Sequence, residues 1–417
     1  MTRSASALAL VLSLSTPLYA ACEGGEGAPP VTPSDMVDGE QPRAVPVDTV
    51  RRTTRGDIAA RNLDAQIVGL REHLGRNPGD PALRGRLVDL LLMRTAYLGR
   101  FSDFDEADAL TAEGLALHAD TPAAHVSRAA FLSAVHRFTE ALDALDRAEA
   151  LGRDPASLER SRISISVALG VDPEATLARA EALSADAPTF ANRTTLANAL
   201  AAAGRFEEAD AVYVDALAEY RDVSPFPVAF VSFARGVMWA EMADEPELAL
   251  ALYGDATSRL PDYVVANVHL AELESERARL ALARDRLARL VDRDDPEPAG
   301  LLSELTEDAG ERDDLVAIAA ARYERLLSSH RAAFLDHGSE FFAGPGGDPE
   351  RALAMATENL EARRNGRAYV VAIEAALAAD RPDTACEFAA EAEAARRLHP
   401  VLDHLVAEIG RASCRER

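Results

Sequence analysis

Gly204-Arg205-Phe206-Glu207-Glu208-Ala209-Asp210-Ala211-Val212-Tyr213-Val214-Asp215-Ala216-Leu217-Ala218-Glu219-Tyr220 reads as a glycine turn followed by one helix. The small residues Ala209 and Ala216 and the ring of Tyr213 fall on one helical face. Ala175, Ala141 and Ala107 precede Ala209 at a constant interval of 34 residues. A fixed interval of this length is the mark of a repeat built from two helices, each unit burying its apolar face against the next.

The flanking residues keep step. In the unit spanning 190–223, Leu196, Ala197 and Leu200 share one face of the first helix, and Ala209, Tyr213 and Ala216 face back. The unit at 122–155 has Ala129 and Leu132, then Phe138, Ala141, Leu145 and Ala148. The unit at 156–189 has Gly170, Ala175, Ala182 and a closing Pro188. After an insertion at Pro225 and Pro227, the unit at 230–263 carries Trp239, Ala249, Tyr253 and Ala256, and that at 264–297 carries Leu270, Ala271, Ala283 and Leu287. An irregular unit with Tyr323 and Leu326 follows. The last clear unit, 366–399, has Tyr369, Ala376, Ala385 and Ala392. At the front, Leu83 to Leu115 form a unit with a long first helix, and Leu63 to Leu74 an amphipathic helix that could cap the stack.

This pattern resembles the tetratricopeptide repeat: leucine and a small residue in the first helix, then alanine, ring and alanine in the second. The resemblance covers roughly residues 80–400, and tryptophan is missing from its usual slot. It implies an all-α fold, a right-handed α-α superhelix (solenoid) over residues 57–407. It also implies that the first helix of each unit lines a concave groove, which in phase places Val126, Arg160, Ser164, Thr194, Asn198 and Glu272 there. The lysine–asparagine clamp of the family's chaperone-binding members does not carry over. Asn198 occupies an asparagine slot, but all 44 basic residues here are arginine.

Met1 to Ala21 has the form of an export signal: Arg3, an apolar run from Ala5 to Leu14, and small residues before Cys22. The run is too short to span a bilayer. Cys22 after Ala20-Ala21 resembles the lipobox of bacterial lipoproteins, which implies acylation of that cysteine, although Tyr19 and Leu18 depart from the pattern. Ordinary cleavage beside an incidental cysteine is the alternative. Residues 22–56, rich in glycine and proline, read as a flexible tether. The expected location is the periplasm or cell envelope, with the membrane reached only through Cys22. At the other end, residues 408–417 match, codon for codon, the translation of a sequencing adapter, and Ile409 to Arg417 are set aside from the fold.

Composition narrows the function. The chain is 48% hydrophobic but only 5% aromatic, so its core is alanine and leucine. A formal net charge of −25 argues against a nucleic-acid partner. Without lysine there is no phosphate-loop lysine, Schiff base or Ser–Lys dyad. Cys22, Cys386 and Cys414 show neither metal-ligand spacing nor a disulfide framework, and Cys386 reads as a small packing residue.

Chemistry is sparse. His330, His337 and Glu340 are weak metal candidates, the last two sharing a helical face at a separation of three. Gly344-Pro345-Gly346-Gly347 reads as a turn, and the acidic pairs Asp294-Asp295 and Asp313-Asp314 as solvated loops. No catalytic constellation and no cofactor are expected. The leading expectation is a non-catalytic exported scaffold that binds a protein or peptide of unknown identity in its groove. The alternative is a metal- or small-ligand-binding solenoid using the His337/Glu340 region.

Overall fold

The computed structural model describes residues 45–48 and 51–394. Among these the chain forms nineteen α-helices and no strand. The first, α1 (Gly56–Arg76), precedes nine antiparallel hairpins. These are α2 (Pro81–Leu98) with α3 (Asp103–Leu117), α4 (Pro122–Ala134) with α5 (Phe138–Ala150), and α6 (Pro155–Leu169) with α7 (Pro173–Asp186). Next come α8 (Phe190–Ala202) with α9 (Phe206–Glu219), α10 (Pro225–Val237) with α11 (Pro246–Arg259), and α12 (Val264–Glu276) with α13 (Leu280–Ala288). The last three are α14 (Glu297–Glu304) with α15 (Ala309–His330), α16 (Leu335–Ala343) with α17 (Pro349–Ala362), and α18 (Gly366–Ala378) with α19 (Pro382–Ala394). Each hairpin packs on the next, so the fold is an all-α solenoid of antiparallel helix hairpins.

Helix starts are fixed by local chemistry. Asp80, Asp154, Asp172, Thr189, Asp308, Asp348 and Asn365 each accept a bond from a backbone N–H of the turn that follows. Proline opens α10 at Pro225, because the first N–H of a helix has no internal partner. The residues read as an insertion at Pro225 and Pro227 are therefore helical, and α10 starts five residues ahead of the expected 230. The surplus is absorbed at the far end, where Met238–Met242 winds as a π-helical turn.

Alanine sets the spacing between helices. Ala107, Ala141 and Ala209 are fully buried where the second helix of a hairpin meets its neighbours, but Ala175, at the same interval, is exposed. The reason is a slip of register. α6 has 15 residues where α4 and α8 have 13. Gly170 and Asp172 then both take left-handed backbone before α7 begins. The buried face of α7 becomes Thr176, Leu177, Ala180 and Ser184. Ala209→Leu should therefore overpack a filled contact and cost about 1–3 kcal/mol, while Ala175→Leu should stay within about 0.5 kcal/mol of the parent. Denaturant unfolding of the two variants checks this; equal losses would show the register to be misassigned.

The solenoid returns to its own beginning. The C-terminal ends of α2, α4 and α6 abut the starts of first helices one superhelical turn later. The Tyr97 ring lies 5.0 Å from both Phe226 and Tyr263, and Phe101 lies 4.9 Å from Phe334. Ser102 donates to Asp294 at 2.6 Å, and His330 meets Asp105 at 2.8 Å. At α6 the Asn365 side chain donates to the Ala168 carbonyl at 2.8 Å and the Arg364 N–H to the Leu169 carbonyl at 3.3 Å. Carbonyls orphaned at the end of α6 are thus satisfied by the next turn of the superhelix. Gly170 is required there: its φ is 69°, and a Cβ would sit 2.9 Å from the Asn365 backbone.

Candidate functional site: the inner face and the seam

The residues expected to line a groove are not equally available. Val126 on α4 and Arg160 on α6 are half-buried, whereas Ser164 is buried. Thr194 on α8 is buried and its hydroxyl donates to the Phe190 carbonyl at 2.8 Å. Asn198 is half-buried, with its side-chain oxygen taken by the Tyr213 hydroxyl. Glu272 on α12 is half-buried, 3.5 Å from the His269 ring.

Charges left over on four first helices, α2, α6, α14 and α18, are the informative part. Arg160 makes no hydrogen bond or ion pair among the described residues; its Nε is buried without a partner, and burial pushes its pKa down. Asp89 on α2 is exposed to solvent yet crowded, and desolvation lifts it to about 6 against the pull of Arg86. Glu304 on α14 is raised by burial, and Glu374 on α18 is raised to about 8 by burial and then by Glu340. Partial withdrawal from water accounts for all four: solvent reaches the groups without fully stabilising their charge. Nothing in the sequence pattern singled out Asp89, Glu304 or Glu374; only the interval of 34 between Glu340 and Glu374 was there to be noticed.

Where α14 and α16 meet the first superhelical turn lies a buried polar cluster. His337 Nδ1 is 2.8 Å from Glu297 and 3.5 Å from Glu340, and Nε2 is 3.8 Å from Asp336. Glu340 pairs with Arg367 at 2.6 Å and Asp336 with Arg363 at 2.5 Å. Burial opposes the charge on His337, but Glu297, Asp336 and Glu340 outweigh it and carry the pKa to about 10. Burial likewise opposes ionisation of Asp336, and the charges of Arg363 and His337 overcome it, holding the carboxyl well below its ordinary range. His136, from the opposite side of the seam, is lowered to about 3 by burial and by Arg363 and stays neutral. Asp295, expected to be solvated, is 1% exposed. Desolvation and the charge of Glu297 raise its pKa, while His337 holds Glu297 low against burial.

The cluster borders a cavity of about 30 Å³ lined by His136, His337, Glu297, Asp295, Phe104 and Phe334, among others. His136 Nδ1 and His337 Nε2, from two residues that line it, make no hydrogen bond. That volume accommodates ordered water, since one molecule needs roughly 10–15 Å³. His330 stands apart, on Asp105. Among the described residues no group of three or more His, Cys, Asp or Glu is placed to hold a metal ion. Cys386, read as a packing residue, is half-buried and packs against the core. Cys22, residues 1–21 and residues 408–417 lie outside the described residues, and among those described no helix is long and apolar enough to cross a membrane.

No family model matches the chain, and no curated protein does. Solved structures similar to it include a chain of the APC/C hetero-tetramer Cut9–Hcn1, at 12% identity and a TM-score of 0.40, covering 73% of this chain and 59% of that one. A tetratricopeptide repeat protein from Parabacteroides merdae is similar at 16% identity and a TM-score of 0.36, covering 61% and 98%. Yeast Tom70 is similar at 12% identity and a TM-score of 0.34, covering 86% and 94%. At these values the likenesses concern helical repeat architecture and say nothing of partners.

Proposed function

We propose that this chain is a non-catalytic scaffold that holds an extended segment of a partner protein or peptide against the inner face of its solenoid. The observation that supports the reading is Arg160, a half-buried cation with no counter-charge among the described residues. Withdrawing a charge from water without pairing it is unfavourable, and a carboxylate or carbonyl from outside would relieve that. A bound segment passing Arg160 would also bring groups able to compensate the crowded carboxylates Asp89 and Glu374. The expected result is that Arg160→Ala and Glu374→Gln keep the melting behaviour of the parent and lose partners captured from an envelope extract. Both variants recovering the parent's full set of partners would refute the reading.

The chain is further proposed to be exported and acylated at Cys22, on the strength of its first 22 residues. Labelled fatty acid should enter the parent, and Cys22→Ala should release soluble protein. An unmodified Cys22 in the mass spectrum of the mature chain would end that proposal.

A further inference from the structure

Residues 51–56, read from sequence as the end of a free tether, are held firmly across the solenoid. The Arg51 guanidinium donates to the Tyr220 carbonyl at 2.5 Å and to that of Leu217, at the C-terminal end of α9. That end carries the negative pole of the helix and unpaired carbonyls, so a guanidinium suits it. Arg259, paired with Asp255 at 2.9 Å, uses its free N–H to hold the Arg51 carbonyl at 3.1 Å. The Thr54 N–H donates to the Val223 carbonyl at 2.7 Å. Gly56, the first residue of α1, is pressed onto the connection after α11: a Cβ there would lie 2.4 Å from the Arg259 carbonyl oxygen.

These contacts join the first helix of the chain to elements about one superhelical turn away. The seam runs between the same two parts of the molecule, through Tyr97 with Tyr263, Ser102 with Asp294, and Ala168 and Leu169 with Arg364 and Asn365. Much of it is polar, and a polar contact is worth little unless its partners are already in register. We infer that residues 51–56 are a latch: by fixing α1 on α11 they set the register of the first superhelical turn on the second, and their release opens the inner face. The inference rests on the inner face being the binding surface. It adds that access is controlled from the N-terminal side, where a pull would first have to free Pro46 and Asp48, whose carbonyls are held by Arg235 and Arg259.

Amide hydrogen exchange of Arg51→Ala/Gly56→Val, in the full chain, tests this. The Thr54 amide reports the latch and the Arg364 amide the distant seam. The Arg205 amide, bonded to Leu200 inside one hairpin, reports general loosening. The expected result is that Thr54 loses protection, Arg364 exchanges about tenfold faster, and Arg205 is unchanged. A freed Thr54 with Arg364 at the parent rate overturns the latch, as does a Thr54 that stays protected. If the double variant does not fold, Thr54→Pro removes a single latch bond, and the Arg364 and Arg205 amides decide in the same way. Failure here leaves the partner-binding reading standing, because Arg160→Ala tests that reading without touching the latch.

Discussion

Arg235→Met is expected to destabilise the protein by about 3–5 kcal/mol, the usual cost of stranding one member of a buried ion pair. Arg235 is 1% exposed and forks onto Asp210, Nε at 2.8 Å and Nη2 at 2.9 Å. The Trp239 indole N–H donates to the same carboxylate at 2.9 Å, and Arg235 Nη1 holds the Pro46 carbonyl at 2.8 Å. Methionine fills much of the volume but leaves the Asp210 charge with one neutral donor. Arg235→Met/Asp210→Leu, which removes both charges, should recover most of the loss. Trp239 is the sole tryptophan, so its fluorescence follows unfolding at the site itself. A single variant within about 1 kcal/mol of the parent, or a double variant no better than the single, would mean that Asp210 is not held as a buried anion.

How far the sequence could be read is clear at particular residues. Local geometry was legible: Gly204 closes one hairpin at φ 74°, and Ala209, Tyr213 and Ala216 face its core as their spacing requires. Ala175 failed because two extra residues in α6 and the Asp172-Pro173 start of α7 displace the helix while leaving an alanine on the old interval. Such a displacement is invisible to counting, since alanine is tolerated inside and outside. The seam could not be read at all. It pairs Gly170 with Asn365 and Asp105 with His330, roughly one superhelical turn apart, and nothing local to either residue encodes the superhelical pitch. The polar cluster was only half legible: His337 and Glu340 showed helical spacing, while Glu297 reaches His337 from the preceding hairpin and Asp336 from the adjoining position on α16.

Asp295→Asn should stabilise the protein at alkaline pH and do little under mild acid. Asp295 Oδ1 accepts the Glu297 N–H at 3.0 Å at the start of α14, a bond that the asparagine oxygen can keep. The carboxyl is buried beside Glu297, and desolvation together with that neighbouring charge lifts its pKa from 3.8 to about 8. A carboxyl raised on folding contributes fully below its unfolded value, near 4. The contribution is lost progressively as pH rises through the folded value, because the folded protein must keep a proton that the unfolded chain releases. Asparagine carries no such proton. The gain should therefore be near zero at pH 4, grow through neutrality and level off above pH 8. Each tenfold change in proton affinity between folded and unfolded chain is worth about 1.36 kcal/mol, and part of the effect is shared with Glu297, so a plateau of roughly 2–4 kcal/mol is expected. Urea unfolding of parent and variant at intervals from pH 4 to pH 9 measures it. A constant difference across that range, or a variant that gains in acid instead, would show that Asp295 is ionised in the folded protein and that its carboxyl does not hold a proton at the seam.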